Sequence, residues 1–95
     1  MKILNKEEQE IDRLDLGIVV AGESKEYEYY LYNDTIAEAI DLKVEVPNKE
    51  VEVLESPKTL ASKTKGLVKI KWSPSVTLKQ GLQTVIKLSG AELYK

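Results

Sequence analysis

Sixteen carboxylates, five tyrosines and one tryptophan dominate the side chains of this 95-residue chain that could do chemistry, because histidine and cysteine are absent. Without imidazole or thiol there can be no Ser-His-Asp or Cys-His nucleophile system, and no zinc or iron site built on those ligands. Carboxylates can still act in pairs, as acid and base across a cleft. Glu50, Glu52 and Glu55 fall close together, as do Asp12 and Asp15. They alternate with Val or Leu, however, and that is the pattern of a wetted strand face. Asn33-Asp34-Thr35 with Glu38 is the best local cluster of oxygen donors for a cation. It lacks the acidic density of a calcium loop, so it reads as a turn in which Asn33 or Asp34 bonds its own backbone. The glycines are scattered and never form a phosphate cradle such as GxGxxG. The expectation is a protein that is no enzyme, with no cofactor and no metal.

The tyrosines are the anomaly of composition. Four of the five lie within Tyr27 to Tyr32, and there is no Phe. Tyr27 and Tyr29 share the apolar-periodic face of their segment, while Tyr30 and Tyr32 fall on the other. Outward tyrosines either hold a partner, since they offer contact area and one polar handle, or stabilise their own sheet by cross-strand pairing. The sequence leaves both roles open. Lys65, Lys69 and Lys71, with Lys63 and Lys79 nearby, form a positive stripe that reads as a solvated edge or face. A net charge of -2 argues against nucleic acid as a partner.

These residues must be carried by strands. Residues 1–13 are mixed and read as an N-terminal arm or lead-in strand, with Ile3 and Leu4 available to dock on a neighbour or to cover one end of the same sandwich. From Leu14 the apolar positions recur with period two. Leu14, Leu16 and Ile18 open the pattern, Ala21 to Ser24 turns, and Lys25 to Asn33 carries Tyr29 and Leu31 inward. Ile40, Leu42, Val44 and Val46 form a further strand, ended by Pro47. Val51 and Val53 form a short one, and Leu60 plugs one end of the core. Val68, Ile70 and Trp72 alternate with Lys69 and Lys71 until Pro74. After Lys79-Gln80-Gly81, Leu82, Thr84, Ile86 and Leu88 share a face, and Gly90 marks a bulge. Six or seven short strands and no convincing helix describe an all-β sandwich or small barrel over residues 14–95. The predicted core comprises Leu16, Tyr29, Leu31, Leu42, Val44, Val68, Ile70, Trp72, Ile86 and Leu88. The predicted protein interface is Ile3, Leu4, Tyr30 and Tyr32. No apolar leader opens the chain and no stretch is long enough to cross a bilayer, so cytoplasmic synthesis without a signal peptide and no membrane partner are expected.

Leu14-Asp15-Leu16-Gly17 with Val19 and Val20, Gly22-Glu23-Ser24, Tyr29-Tyr30-Leu31-Tyr32-Asn33, and Val68-Lys69-Ile70-Lys71-Trp72-Ser73-Pro74 followed by Gly81 and the strand to Leu88 occur in that order. This series resembles the immunoglobulin-like domains related to major sperm protein and to the ASPM, SPD-2 and hydin (ASH) proteins. The chain departs from that pattern at Ala39-Ile40, after the Asn strand, and in the polar stretch Ser56 to Lys65. The resemblance implies an immunoglobulin-like β-sandwich of about seven strands in two antiparallel sheets, working as a structural or adaptor module. A solitary copy of this kind looks like a small virion component, such as a decoration, neck, tail or baseplate protein of a bacteriophage, held by capsid or tail proteins or by itself. The alternative is a cytoplasmic bacterial adaptor or carbohydrate-binding module.

Overall fold

Alternation is cleanest in Lys25–Tyr32 and Lys65–Trp72, and these segments pair antiparallel along their whole length, from Lys25 opposite Trp72 to Tyr32 opposite Lys65. The computed structural model describes residues 1–93, so the last two positions of the predicted 14–95 unit lie outside the described residues. In chain order the strands are β1 (Lys2–Leu4), β2 (Glu10–Ile11), β3 (Leu14–Gly17), β4 (Lys25–Tyr32), β5 (Glu38–Glu45), β6 (Val51–Glu55), β7 (Lys65–Trp72), β8 (Leu82–Thr84) and β9 (Lys87–Leu93). Five of them form one sheet in the order β2-β1-β4-β7-β6, while β3 pairs with β8 and β5 with β9. All of these pairings are antiparallel.

Period two separates the faces of the large sheet. Inward, Tyr29 lies opposite Val68, Tyr27 opposite Ile70 and Val53 next along that row, and Leu31 opposite Gly66. Leu14, Leu16 and Val19 of the β3 segment and Ala39 and Val44 of β5 belong to the same buried cluster as Tyr29, Leu31, Val68, Ile70 and Trp72. The core therefore lies between the five-stranded sheet and the two ribbons, in a sandwich-like arrangement. Each large aliphatic side chain removed from water there contributes roughly 1.5–3 kcal/mol. Trp72 is buried although its indole N–H has no acceptor among the described residues. Tyr27 spans the layers by donating its hydroxyl to the Leu16 carbonyl. Leu42 and Ile86 are half-buried and pack against the cluster.

Leu88 departs from the predicted core. It lies opposite Val44, yet Val44 is 7% exposed and Leu88 37%. The segment after Gly81 does not run as one strand. It pairs with β3 up to Thr84, breaks at Val85-Ile86, and pairs with β5 from Lys87. The change of partner leaves Leu88 on an open groove of about 160 Å³ with Met1, Ala39 and Leu42.

The register shifts in three strands, β3, β5 and β6, and a slip of one exchanges the faces. In β3 the register against β8 shifts between Asp15 and Gly17, where Gly17 sits at φ 67°. Beyond it Val19 is buried, and Ile18, which the alternation places inward, is 61% exposed. In β5 the register against β9 shifts between Ile40 and Lys43, around Asp41 at φ 52°. Ala39 is consequently buried and Ile40 only half-buried.

Gly90 stands opposite the β5 bulge, between Ala91 and Ser89, which pair with Ile40 and Lys43. A Cβ there would meet Leu42 Cδ2 at 2.8 Å and the Ile40 carbonyl oxygen at 3.1 Å. Gly90→Ala is therefore expected to lower stability by about 1–3 kcal/mol through overpacking. Urea denaturation should show a lower midpoint at unchanged slope. A midpoint equal to or above that of the parent would show that β5 and β9 do not approach this closely.

Candidate interaction surfaces

Each end of the sandwich is shaped by its turns. At one end β4 runs into Asn33, which is fully buried. Its side-chain Nδ2 donates to the Ala37 carbonyl (2.8 Å) and the Leu60 carbonyl (3.0 Å). Its Oδ1 accepts from the Thr35 N–H (3.1 Å) and hydroxyl (2.6 Å). The main-chain N–H donates to Thr64, and the main-chain carbonyl accepts from the Lys63 N–H. Every polar atom of the residue is thus paired, as burial requires. Of the oxygen donors considered for a cation, those of Asn33 and Thr35 are committed to this turn, and Asp34 Oδ1 lies 2.9 Å from the Met1 amino group. Among the described residues no three acidic side chains converge as metal ligands would.

The same turn brings β1 beside the end of β4. Lys2, Ile3 and Leu4 face Tyr32, Leu31 and Tyr30, and Ile3 also faces Ile11. Ile3 therefore shares the inward face with Leu31 and packs against the core, so of the two places open to it, an interface or one end of its own sandwich, it takes the second. Leu4 goes outward into a row with Tyr30 and Leu67. Tyr32 lies between Lys2 and Lys65 in the next row. The Lys65 ammonium sits 4.9 Å from the centre of the Tyr30 ring, a cation–π distance, and also contacts the Glu8 carboxylate. Both outward tyrosines are consequently half-buried rather than bare. An open groove of about 620 Å³ runs past Tyr32, lined by Leu4, Lys2, Lys63, Lys65 and Glu8 among others.

The remainder of that outer face is charged in alternation. Glu26, Lys71 and Glu52 form one row across β4, β7 and β6, and Glu28, Lys69 and Glu55 the next. Lys69 and Lys71 thus lie on a central strand between acidic neighbours, and their part of the stripe is on a face and not on an edge. Lys69 Nζ reaches Glu26 diagonally at 3.5 Å. Exposed pairs of this kind contribute about 0–1 kcal/mol each, so the rows fix register more than they add stability.

The opposite end carries what alternation alone does not reveal. The segment after Gly17 and the loop after Trp72 lie side by side, held by Gly22 N–H to the Pro74 carbonyl (3.1 Å) and Ala21 N–H to the Thr77 hydroxyl (2.9 Å). On these two segments Ile18, Val20, Val76 and Leu78 are 61%, 55%, 64% and 39% exposed. The available sequence signal was the Val76-Thr77-Leu78 alternation after Pro74, which lies in no strand.

One further concavity, of about 410 Å³, holds Tyr27 and Tyr29 beside Asp15 and Arg13. Burial, the neighbouring Tyr27 and the Asp15 charge push the Tyr29 phenol up to about 12. Tyr27 is raised in the same direction, by burial and then by Asp15. A general acid or base works best when it titrates near the operating pH. These phenols are driven away from it. Set against known proteins, the chain matches no family model, no curated protein and no solved structure.

The Tyr29 shift has a sign that can be measured. A phenol is neutral when protonated, and the folded state raises its pKa from 10.0 to about 12. The stability that this contributes is complete below pH 10.0 and is lost as pH rises towards about 12. Absorbance titration at 295 nm should show a late phenolate component that Tyr29→Phe removes, together with falling stability across that window. A full complement of phenolates by pH 10.0 in the folded protein would contradict this placement of Tyr29.

Proposed function

We propose that the chain is a non-catalytic protein-interaction module built as an immunoglobulin-like sandwich. The observation that carries this reading is the loop end, where four aliphatic side chains on two adjoining segments stand in water. Exposed apolar patches on small soluble domains mark sites that other proteins cover. The immunoglobulin-like part draws support from the strand order β1-β4-β7-β6 with β5 paired to β9. Strands A, B, E and D of a constant-type domain lie in that order, with C beside F in the second sheet. The non-catalytic part draws support from the residue types absent from the chain and from the upward shift of both cleft phenols. The resemblance to ASH-type domains supports a structural or adaptor role, of which a small virion component is one form and a cytoplasmic adaptor or carbohydrate-binding module the other.

Retention of native partners from extracts of the source organism, or from its virus particles, tests the reading. Paired Ile18→Ser and Val76→Ser substitutions remove two side chains whose burial against a partner contributes roughly 1.5–3 kcal/mol each. The double variant is expected to lose partner retention at least tenfold, while its stability stays within about 1 kcal/mol, as for surface substitutions. Tyr30→Ser with Tyr32→Ser is the comparison. It should lower the melting temperature through the lost Leu4–Tyr30–Leu67 row and leave retention intact. Equal retention by the parent and the Ile18/Val76 variant would overturn the proposal.

A further inference from the structure

The geometry points to the free edge of β6 as a docking site for a short extended segment with alternating basic and apolar residues, supplied by another protein. β6 closes one side of the five-stranded sheet and, among the described residues, has β7 as its only strand neighbour. The direction of its main chain follows from one hydrogen bond. Ser73 N–H donates to the Glu50 carbonyl (3.0 Å), so Glu50 and Ser73 are a hydrogen-bonded antiparallel pair. With the register Val51–Trp72, Glu52–Lys71 and Val53–Ile70, Glu52 also turns its main chain towards β7. Val51 and Val53 turn theirs to the open side, since hydrogen-bonded and non-bonded pairs alternate. The Val51 N–H is taken by the Asn48 carbonyl. The Val51 carbonyl and the Val53 N–H and carbonyl are left to form a ladder with an added strand.

Charge selects the occupant. In the rows Glu26–Lys71–Glu52 and Glu28–Lys69–Glu55 each lysine has an acid on both sides, whereas Glu52 and Glu55 have a cation on one side only. A strand beside β6 places a side chain opposite Glu52 on the outer face, and Lys or Arg there continues the alternation of sign. On the inner face its neighbours would be Val51 and Val53, which call for an apolar residue. A second copy of this chain does not meet these conditions through the edges of its five-stranded sheet. Two β6 edges would oppose Glu52 and Glu55 to each other, and the far edge of the sheet keeps an acidic excess, since Lys6 and Arg13 stand against Glu7, Glu8, Glu10 and Asp12 in and around β2, where Lys2 and Lys65 already pair with Glu10 and Glu8. The acids that repel a copy attract a basic strand. The register slip at Leu54 ends the straight part of the edge and limits the ladder to Val51–Val53.

The probe is a seven-residue capped peptide alternating valine and lysine, with the same peptide carrying glutamate for lysine as control, titrated into the isotope-labelled chain at low salt. The lysine peptide is expected to shift the amide signals of Val51, Glu52 and Val53 and to bind at least tenfold more tightly than the glutamate peptide. Val53→Pro removes the outward N–H at an edge position where the fold tolerates proline, and should weaken binding at least tenfold with β7 signals unmoved. Glu52→Gln should weaken it as well, without opposing a lysine to Lys71. The Ile18→Ser and Val76→Ser variant should bind the peptide as the parent does, which keeps this edge distinct from the loop end. Equal binding of both peptides, no binding, shifts located away from β6, or full affinity in Val53→Pro would each overturn the inference.

Discussion

The fold depends most on the burial of Asn33 with every polar atom paired. An amide that loses its partners inside a protein costs about 1–3 kcal/mol, so the groups around it are held where they can satisfy it. Those groups belong to separate parts of the chain. Thr35 and Ala37 lie in the turn that leads to β5, and Leu60, Lys63 and Thr64 in the crossing that leads to β7. Because β4 runs directly into this residue, its large-sheet face and the β5 ribbon are fixed relative to each other at the same point. The consequences spread outward. Ala39 and Leu60 exchange both main-chain hydrogen bonds, Leu60 becomes a core residue, and Pro57 lies against Gly66, where a Cβ would meet it at 2.8 Å.

Much of this was legible in sequence wherever a strand had no irregularity. The alternation Val68, Ile70, Trp72 against Lys69, Lys71 runs from one β7 face to the other without a slip, and so does Tyr29, Leu31 against Tyr30, Tyr32. The reading lost a residue at Gly17 and at Asp41, and for one reason. A bulge inserts a position without changing residue types enough to announce itself, so Ile18 and Ile40 keep the look of core residues after the face has changed. Gly90 does carry a signal, but the bulge it accommodates is on the neighbouring strand.

Long-range neighbours were the other illegible quantity. A sequence gives the faces of a strand more readily than the strands beside it. The lysines of β7 have the pattern of an edge guard until β6 and β4 are seen to flank them with acids. Ile3 has the pattern of a free arm until its row with Leu31 and Ile11 is known. Leu88 fits the periodicity of one long strand until that strand changes partners. The functional surfaces suffer most from this, since exposure at Ile18, Val20, Val76 and Leu78 arises where two distant segments meet. The sandwich thereby divides its tasks, with Asn33 organising one end, charge rows holding register across the middle, and apolar loops left open at the other end.

Hydrogen exchange of the Asn33 side-chain amide, followed by NMR under native conditions, tests the central claim most directly. If Asn33 joins the two layers, its Nδ2 protons exchange only when the whole domain unfolds, with the same free energy as the main-chain amides of Val68 and Ile70. Exchange as fast as that of an exposed side-chain amide such as Gln80 would contradict the account, because the turn, the crossing segment and β5 would then be held by something else.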